Sequence, residues 1–144
     1  MQILQAILPL IGVVIGGFVS YLAQSAHQKR LEKSKDRRQK IIAYNEILKI
    51  EGESSPLESP VHMGENKEFD WKKYEEGNRK VLYENLHLFD FSIVDKVLEI
   101  DYMGEKAEAL GLEQQEIDML YDLYFEIIKR VENDYSKERG KYNE

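Results

Sequence analysis

The stretch EQQEIDMLYDLYFEIIKRVENDYS, residues 113–136, decides the fold class. Ile117, Leu120, Tyr121, Tyr124, Ile127, Ile128, Val131 and Tyr135 recur at steps of three and four, the period of one helix face. Asp118, Asp122, Glu126, Lys129 and Glu132 fill much of the remainder, so this helix is amphipathic and needs apolar partners. Tyr121, Tyr124 and Phe125 together exceed one core-facing stripe. That surplus makes them the expected contact surface for a protein partner. The tail, residues 138–144, is expected to fray.

The partners lie upstream. Asp70 is a suitable N-cap for a helix running to about Phe89, with Trp71, Tyr74, Val81, Leu82, Leu86 and Phe89 turned inward and Gly77 weakening it. Ser92-Ile-Val-Asp95 reads as a capping box, so a further helix is expected to about Met103, its core face formed by Ile93, Val94, Val97 and Leu98. Gly104 and Gly111 bracket a break. Residues 52–68, GESSPLESPVHMGENKE, hold two prolines, three serines, two glycines and four glutamates, and read as a linker. Gln28 to Ile50 contains neither glycine nor proline, and its last turns carry Ile41, Ile42, Tyr44, Ile47 and Leu48. No segment alternates apolar and polar residues as a half-buried strand does. The expected fold is all-α, a small antiparallel bundle of three or four helices. Residues 27–51 supply its first member and residues 69–137 the rest.

The N-terminal segment is different in kind. Residues 1–26 carry no charged side chain, and Ile3–Ala23 (ILQAILPLIGVVIGGFVSYLA) contains only Gln5 and Ser20 as plainly polar residues. A helix of that length spans roughly 30 Å, the hydrocarbon thickness of a bilayer, so an N-terminal transmembrane helix is expected. A cleaved signal peptide fits less well: there is no basic n-region, and the apolar run exceeds an h-region. Lys29, Arg30, Lys33, Lys35, Arg37, Arg38 and Lys40 follow, against Glu32 and Asp36 alone. Positive charge beside a span stays inside, so the N-terminus is expected outside the cell membrane and the bundle in the cytoplasm. The same seven side chains would rest on lipid headgroups. Gly12, Gly16 and Ser20 form overlapping small-xxx-small steps through which two spans could pack as a homodimer or larger homo-oligomer. If unbroken to Ile50, the helix from Ile3 would be about 70 Å long.

Composition narrows the chemistry. The chain has 144 residues, a formal charge of −7, no cysteine and three histidines, which fits one acidic domain without disulfides or thiolate chemistry. Residues 41–144 alone hold 25 acidic and 13 basic side chains, a balance that argues against nucleic-acid binding by the domain. No nucleophile elbow, P-loop, GxGxxG or HExxH motif is present. Glu84-Asn-Leu-His87 has the Glu-x-x-His step of carboxylate-bridged di-metal bundles, but those need the step twice and two further glutamates. The expectation is therefore no catalytic residue, no metal ligand and no cofactor.

A glycine-bearing N-terminal segment (LIGVVIGGFVSYLAQ), a basic helix (HQKRLEKSKDRRQKIIAYNEIL) and an apolar-rich segment (VLYENLHLFDFSIVDKVLE) before a closing helix form one pattern. It resembles the small single-pass, N-terminally anchored helical proteins of bacterial and prophage genomes, over nearly the whole chain but without a diagnostic motif. The resemblance implies a bacterial or phage inner-membrane setting and carries over no functional residue. Two functions are expected to compete. One is a membrane-tethered module that binds an unknown protein partner without catalysis. The alternative is a membrane-active effector or prophage superinfection-exclusion protein assembling through its transmembrane helix.

Overall fold

The computed structural model describes residues 2–58 and 67–140, with side chains from residue 15 onward except that of Glu58. The elements run α1 (Gln2–Ser54), β1 (Leu57–Glu58), β2 (Glu68–Phe69), α2 (Trp71–Glu76), α3 (Asn78–Glu84), α4 (Phe91–Leu110) and α5 (Gln114–Gly140). The all-α expectation holds. The chain divides into two units, Met1–Arg38 and Gln39–Glu144, and α1 contributes to both.

The first unit is helical, and nearly every described side chain in it is exposed, including Ile15, Phe18, Val19, Tyr21 and Leu22. Among the described residues no helix is long and apolar enough to cross a membrane. Gly12 and most of the expected span, Ile3–Ala23, fall where side chains lie outside the described residues.

The second unit is the bundle. Its core takes Ala43, Tyr44 and Ile47 from α1, Tyr74 from α2, and Val81 and Leu82 from α3. From α4 come Ile93, Val97, Ile100 and Met103, and from α5 Leu120, Tyr124, Ile127, Ile128 and Val131. The α5 set is five of the eight stripe positions expected from its period; Ile117, Tyr121 and Tyr135 are half-buried. Each fully buried aliphatic side chain stabilises the fold by about 1.5–3 kcal/mol relative to exposure. Helices α4 and α5 run antiparallel, tied by Lys96–Glu126 at 3.1 Å and Arg130–Asp90 at 3.2 Å, with Lys106–Glu116 towards the other end. α5 is also antiparallel to α1: Tyr44 Oη donates to Asp134 Oδ2 at 3.3 Å, and Tyr124 reaches Glu51.

Five boundaries depart from expectation. The helix foreseen from Asp70 to Phe89 breaks at Gly77 into α2 and α3, and a 3₁₀ turn at Leu86–Leu88 ends the segment. A β-carbon at Gly77 would lie 2.7 Å from the Lys73 carbonyl oxygen and 3.0 Å from Ile50 Cγ2, so only glycine lets the chain lie this close to α1. The cap of α4 is Asp90, whose carboxylate accepts from the Ile93 amide, and not the Ser92 box. Gly104 lies inside α4, which runs on to Gly111; at φ +76 and ψ 171 Gly111 occupies backbone space that is essentially reserved for glycine. The supposed linker is partly structured: Gly52–Ser54 complete α1, and Leu57 pairs antiparallel with Phe69. Residues 59–66 and 141–144 lie outside the described residues, whereas Glu138 to Gly140, expected to fray, are helical.

Candidate functional site

The local fold places Trp71 at the mouth of the bundle. Asp70 caps α2 by accepting from the Lys73 amide at 3.0 Å, while its own amide donates to the Pro56 carbonyl at 2.8 Å. Trp71, one residue on, meets Phe69 edge-on at 5.3 Å and Tyr74 at 5.9 Å between ring centroids. The indole lies against the α4 backbone at Gly104, where a β-carbon would come 2.7 Å from Cη2 and 2.9 Å from Cζ3. This contact opens a groove of about 430 Å³ between α2–α3 and α4. It is lined by Trp71, Glu75, Arg79, Asp101, Gly104, Glu105, Ala107 and Glu108.

One wall is rigid. The Arg79 guanidinium grips Asp101 through Nε at 3.1 Å from Oδ1 and Nη2 at 2.8 Å from Oδ2, a forked charge-assisted pair. It also lies 4.9 Å from the Tyr83 ring centroid, and the Tyr83 hydroxyl donates to the same carboxylate. Its hydrogen bond to Asp101 raises the Arg79 pKa, and burial followed by Asp101 pushes Tyr83 up to about 12. The Arg79 charge is thus answered within the wall. Glu75, Glu105 and Glu108 form no ion pair among the described residues, so the groove is left with surplus negative charge.

Behind the groove lies a polar chain in the core. Asn78 Nδ2 donates to Tyr124 Oη at 2.6 Å, and Tyr124 Oη donates to Glu51 Oε2 at 2.6 Å. Burial, and then the charge of Glu51, raise the Tyr124 pKa well beyond its ordinary value. Tyr74 meets the Tyr124 ring edge-on at 5.8 Å and is itself fully buried. Two buried atoms, Tyr74 Oη and Asn78 Oδ1, have no hydrogen-bond partner among the described residues. Buried polar atoms in folded proteins are satisfied in the great majority of cases, so both are exceptions.

The residues singled out from sequence do not assemble into one site. Tyr124 is a core residue, turned away from any partner surface. Tyr121 is half-buried with Lys67 Nζ 5.1 Å from its ring centroid, and Phe125 is exposed. Gly16 and Ser20 are exposed, and a β-carbon at Gly16 would meet nothing within 4 Å. Lys29, Arg30, Lys33, Lys35 and Arg38 are exposed, Arg37 and Lys40 half-buried, with Lys40 Nζ 5.4 Å from the Tyr44 ring centroid. Glu84 ends α3 and His87 sits exposed in the 3₁₀ turn; no group of three metal-ligating side chains occurs among the described residues.

The sequence reading missed the groove, and it missed the outer face of α4. Phe91, Leu98 and Tyr102 point away from the core there, with 78%, 49% and 68% of their surface exposed. Their spacing of seven and four residues was itself a helical signal. Compared with known proteins, the chain matches no family model, no curated protein and no solved structure.

Proposed function

We propose that this protein is a single-pass, membrane-tethered interaction module without catalytic activity. Its first unit would be held in the inner membrane with the N-terminus outside, and its bundle would bind a protein in the cytoplasm. The observation carrying the reading is the charge-free helix that opens the chain, whose described apolar side chains Ile15, Phe18, Val19, Tyr21 and Leu22 are at least half exposed. Seven basic side chains follow it within residues 29–40 and supply the asymmetry that holds a flank inside. Large apolar groups also lie outward on the bundle at Phe91, Leu98 and Tyr102, the kind of surface that marks contact sites.

A reporter fused after Glu144 tests the topology. A reporter that works only in the cytoplasm should be active on the wild type. Neutralising Lys29, Arg30, Lys33, Lys35, Arg37, Arg38 and Lys40 should weaken or invert that result. Activity of a periplasmic phosphatase on the wild-type C-terminus would reverse the orientation and remove the cytoplasmic partner. Affinity capture with the intact chain, and with a chain lacking residues 1–26, tests the module itself. Failure of both to retain a specific partner would sink it.

One observation favours the second reading, a membrane-active effector of the superinfection-exclusion or defence kind. Gly16 and Gly17 present open space on the helix surface, as a small-residue stripe for packing several spans requires. Depolarisation seen with a membrane-potential dye, and abolished by Gly16→Ile, is the expected signature. An unchanged potential at high expression would remove this alternative.

A further inference from the structure

We propose that the outer face of α4 seats a single amphipathic helix of a partner protein, one whose apolar stripe is bordered by lysine and arginine. The inference rests on the interaction-module reading and names the chemistry of the partner. Phe91, Leu98 and Tyr102 leave 78%, 49% and 68% of their surface exposed, and none of them belongs to the core. At about 100° per residue the three lie within about 40° of one another, opposite the buried Ile93, Val97, Ile100 and Met103. Spacings of seven and four residues are those at which one helix presents anchors to another. From Phe91 to Tyr102 the stripe runs about 16 Å, three turns of helix.

The charges around the stripe decide what covers it. Asp95 and Glu99 follow one edge and Glu105 the other; all three are exposed and form no ion pair among the described residues. The two lysines of α4 both turn to α5, Lys96 to Glu126 at 3.1 Å and Lys106 to Glu116. Arg79, which reaches α4 from α3, is held by Asp101. The face is therefore apolar along its centre and negative along both borders. A second α4 laid on it would set Asp95, Glu99 and Glu105 against their own copies, and like charges across a contact oppose it. Area points the same way. At these exposures the two aromatic side chains offer about 300 Å². A stable interface between globular partners takes roughly 800 Å² from each. One helix lying along the stripe, with basic side chains reaching the three carboxylates, matches its width and its sign.

The test places the full chain in phosphatidylcholine nanodiscs and follows labelled helical peptides by fluorescence anisotropy, with the signal of empty nanodiscs subtracted. The first peptide has leucines at helical spacing bordered by lysine and arginine. The second borders the same leucines with glutamate, and the third keeps the basic residues but replaces leucine by serine. The first should bind saturably and the other two about tenfold more weakly or less. Phe91→Ala/Tyr102→Ala shortens two exposed side chains and should weaken the first peptide by about tenfold, with circular dichroism and Trp71 emission unchanged. Asp95→Asn/Glu99→Gln/Glu105→Gln should weaken it by about threefold and flatten its dependence on salt. No binding, or equal affinity of the wild type and both variants, overturns the proposal. Equal binding of the glutamate-bordered peptide removes the basic partner, and equal binding of the serine peptide removes the apolar stripe. A peptide copying residues 27–42 of this chain, which hold Leu31 and Ile42 among the basic residues, would assign the face to a second copy if it bound more tightly than the first peptide. If partner capture survives Phe91→Ala/Tyr102→Ala while peptide binding is absent, the α4 assignment fails and the module reading stands. If capture fails for every form of the chain, the module reading fails.

Discussion

Replacing Tyr124 by phenylalanine removes one oxygen and keeps the ring, which isolates the polar chain from Asn78 to Glu51 at the bundle centre. The ring's edge-on contacts with Phe69 and Tyr74, both at 5.8 Å, are retained. Asn78 is only 1% exposed and its Oδ1 already lacks a partner, so losing Tyr124 Oη strands Nδ2 as well. Orphaning one buried polar group costs about 1–3 kcal/mol. Glu51 is half-buried and can turn to water, so its share of the loss is small. The expected change is about 2 kcal/mol of stability. For a bundle of this size that lowers Tm by about 8 °C.

Equilibrium urea unfolding of the full chain, followed by Trp71 fluorescence, measures the change. The single tryptophan packs against Gly104 and reports the bundle rather than the N-terminal helix. The midpoint should fall while the slope stays constant, because the surface exposed on unfolding is the same. A second variant distinguishes an orphaned donor from a simple packing fault. Adding Asn78→Leu to Tyr124→Phe removes the stranded amide at similar volume and should recover most of the loss, to within about 1 kcal/mol of wild type. Native stability of Tyr124→Phe, or a double variant weaker than the single one, would refute the reasoning.

Three further outcomes are expected. Gly104→Ala favours helix by about 1 kcal/mol but drives its β-carbon into the indole at 2.7 Å, so Trp71 should be displaced and its emission shifted to the red. An unshifted emission spectrum would show that the contact is not tight. Asp90→Ala should cost about 1 kcal/mol in thermal unfolding because Asp90 caps α4, whereas Ser92→Ala should be close to neutral; the reverse order would restore the capping box. At high pH, burial holds the hydroxyls of Tyr44, Tyr74 and Tyr124 far above their ordinary value and holds Tyr83 near 12, so folding favours the neutral phenols. Stability is therefore complete below the ordinary tyrosine value and falls as pH rises above about 10. Tyrosinate absorbance and loss of helix should rise together there, and smooth tyrosine ionisation with the helix intact would contradict this.

The legible parts of the sequence were those where a single period left no choice. In α5 the apolar spacing is long and unambiguous, and Leu120, Tyr124, Ile127 and Val131 are all fully buried. In α4 the run from Ile93 to Leu98 fits two faces equally, and the reading took Leu98 inward; the structure buries Ile100 and Met103 instead and leaves Leu98 half exposed. The Tyr121–Tyr124–Phe125 surplus was counted against one stripe, but α5 packs on α1 as well as α4, so its buried sector is wider and takes Tyr124. Arg79 and Asp101 are 22 residues apart on different elements, and no local pattern links them. Gly104 shows why the site itself was missed. Its presence was noticed and assigned to a helix break, the usual local meaning of glycine. Its role here is tertiary: the missing β-carbon is the space taken by the edge of Trp71, itself assigned to an inward stripe. Each residue alone had an ordinary explanation, and only their contact makes the groove. The signal was in the sequence, but as two residues 33 positions apart whose connection exists only once α2 is laid across α4.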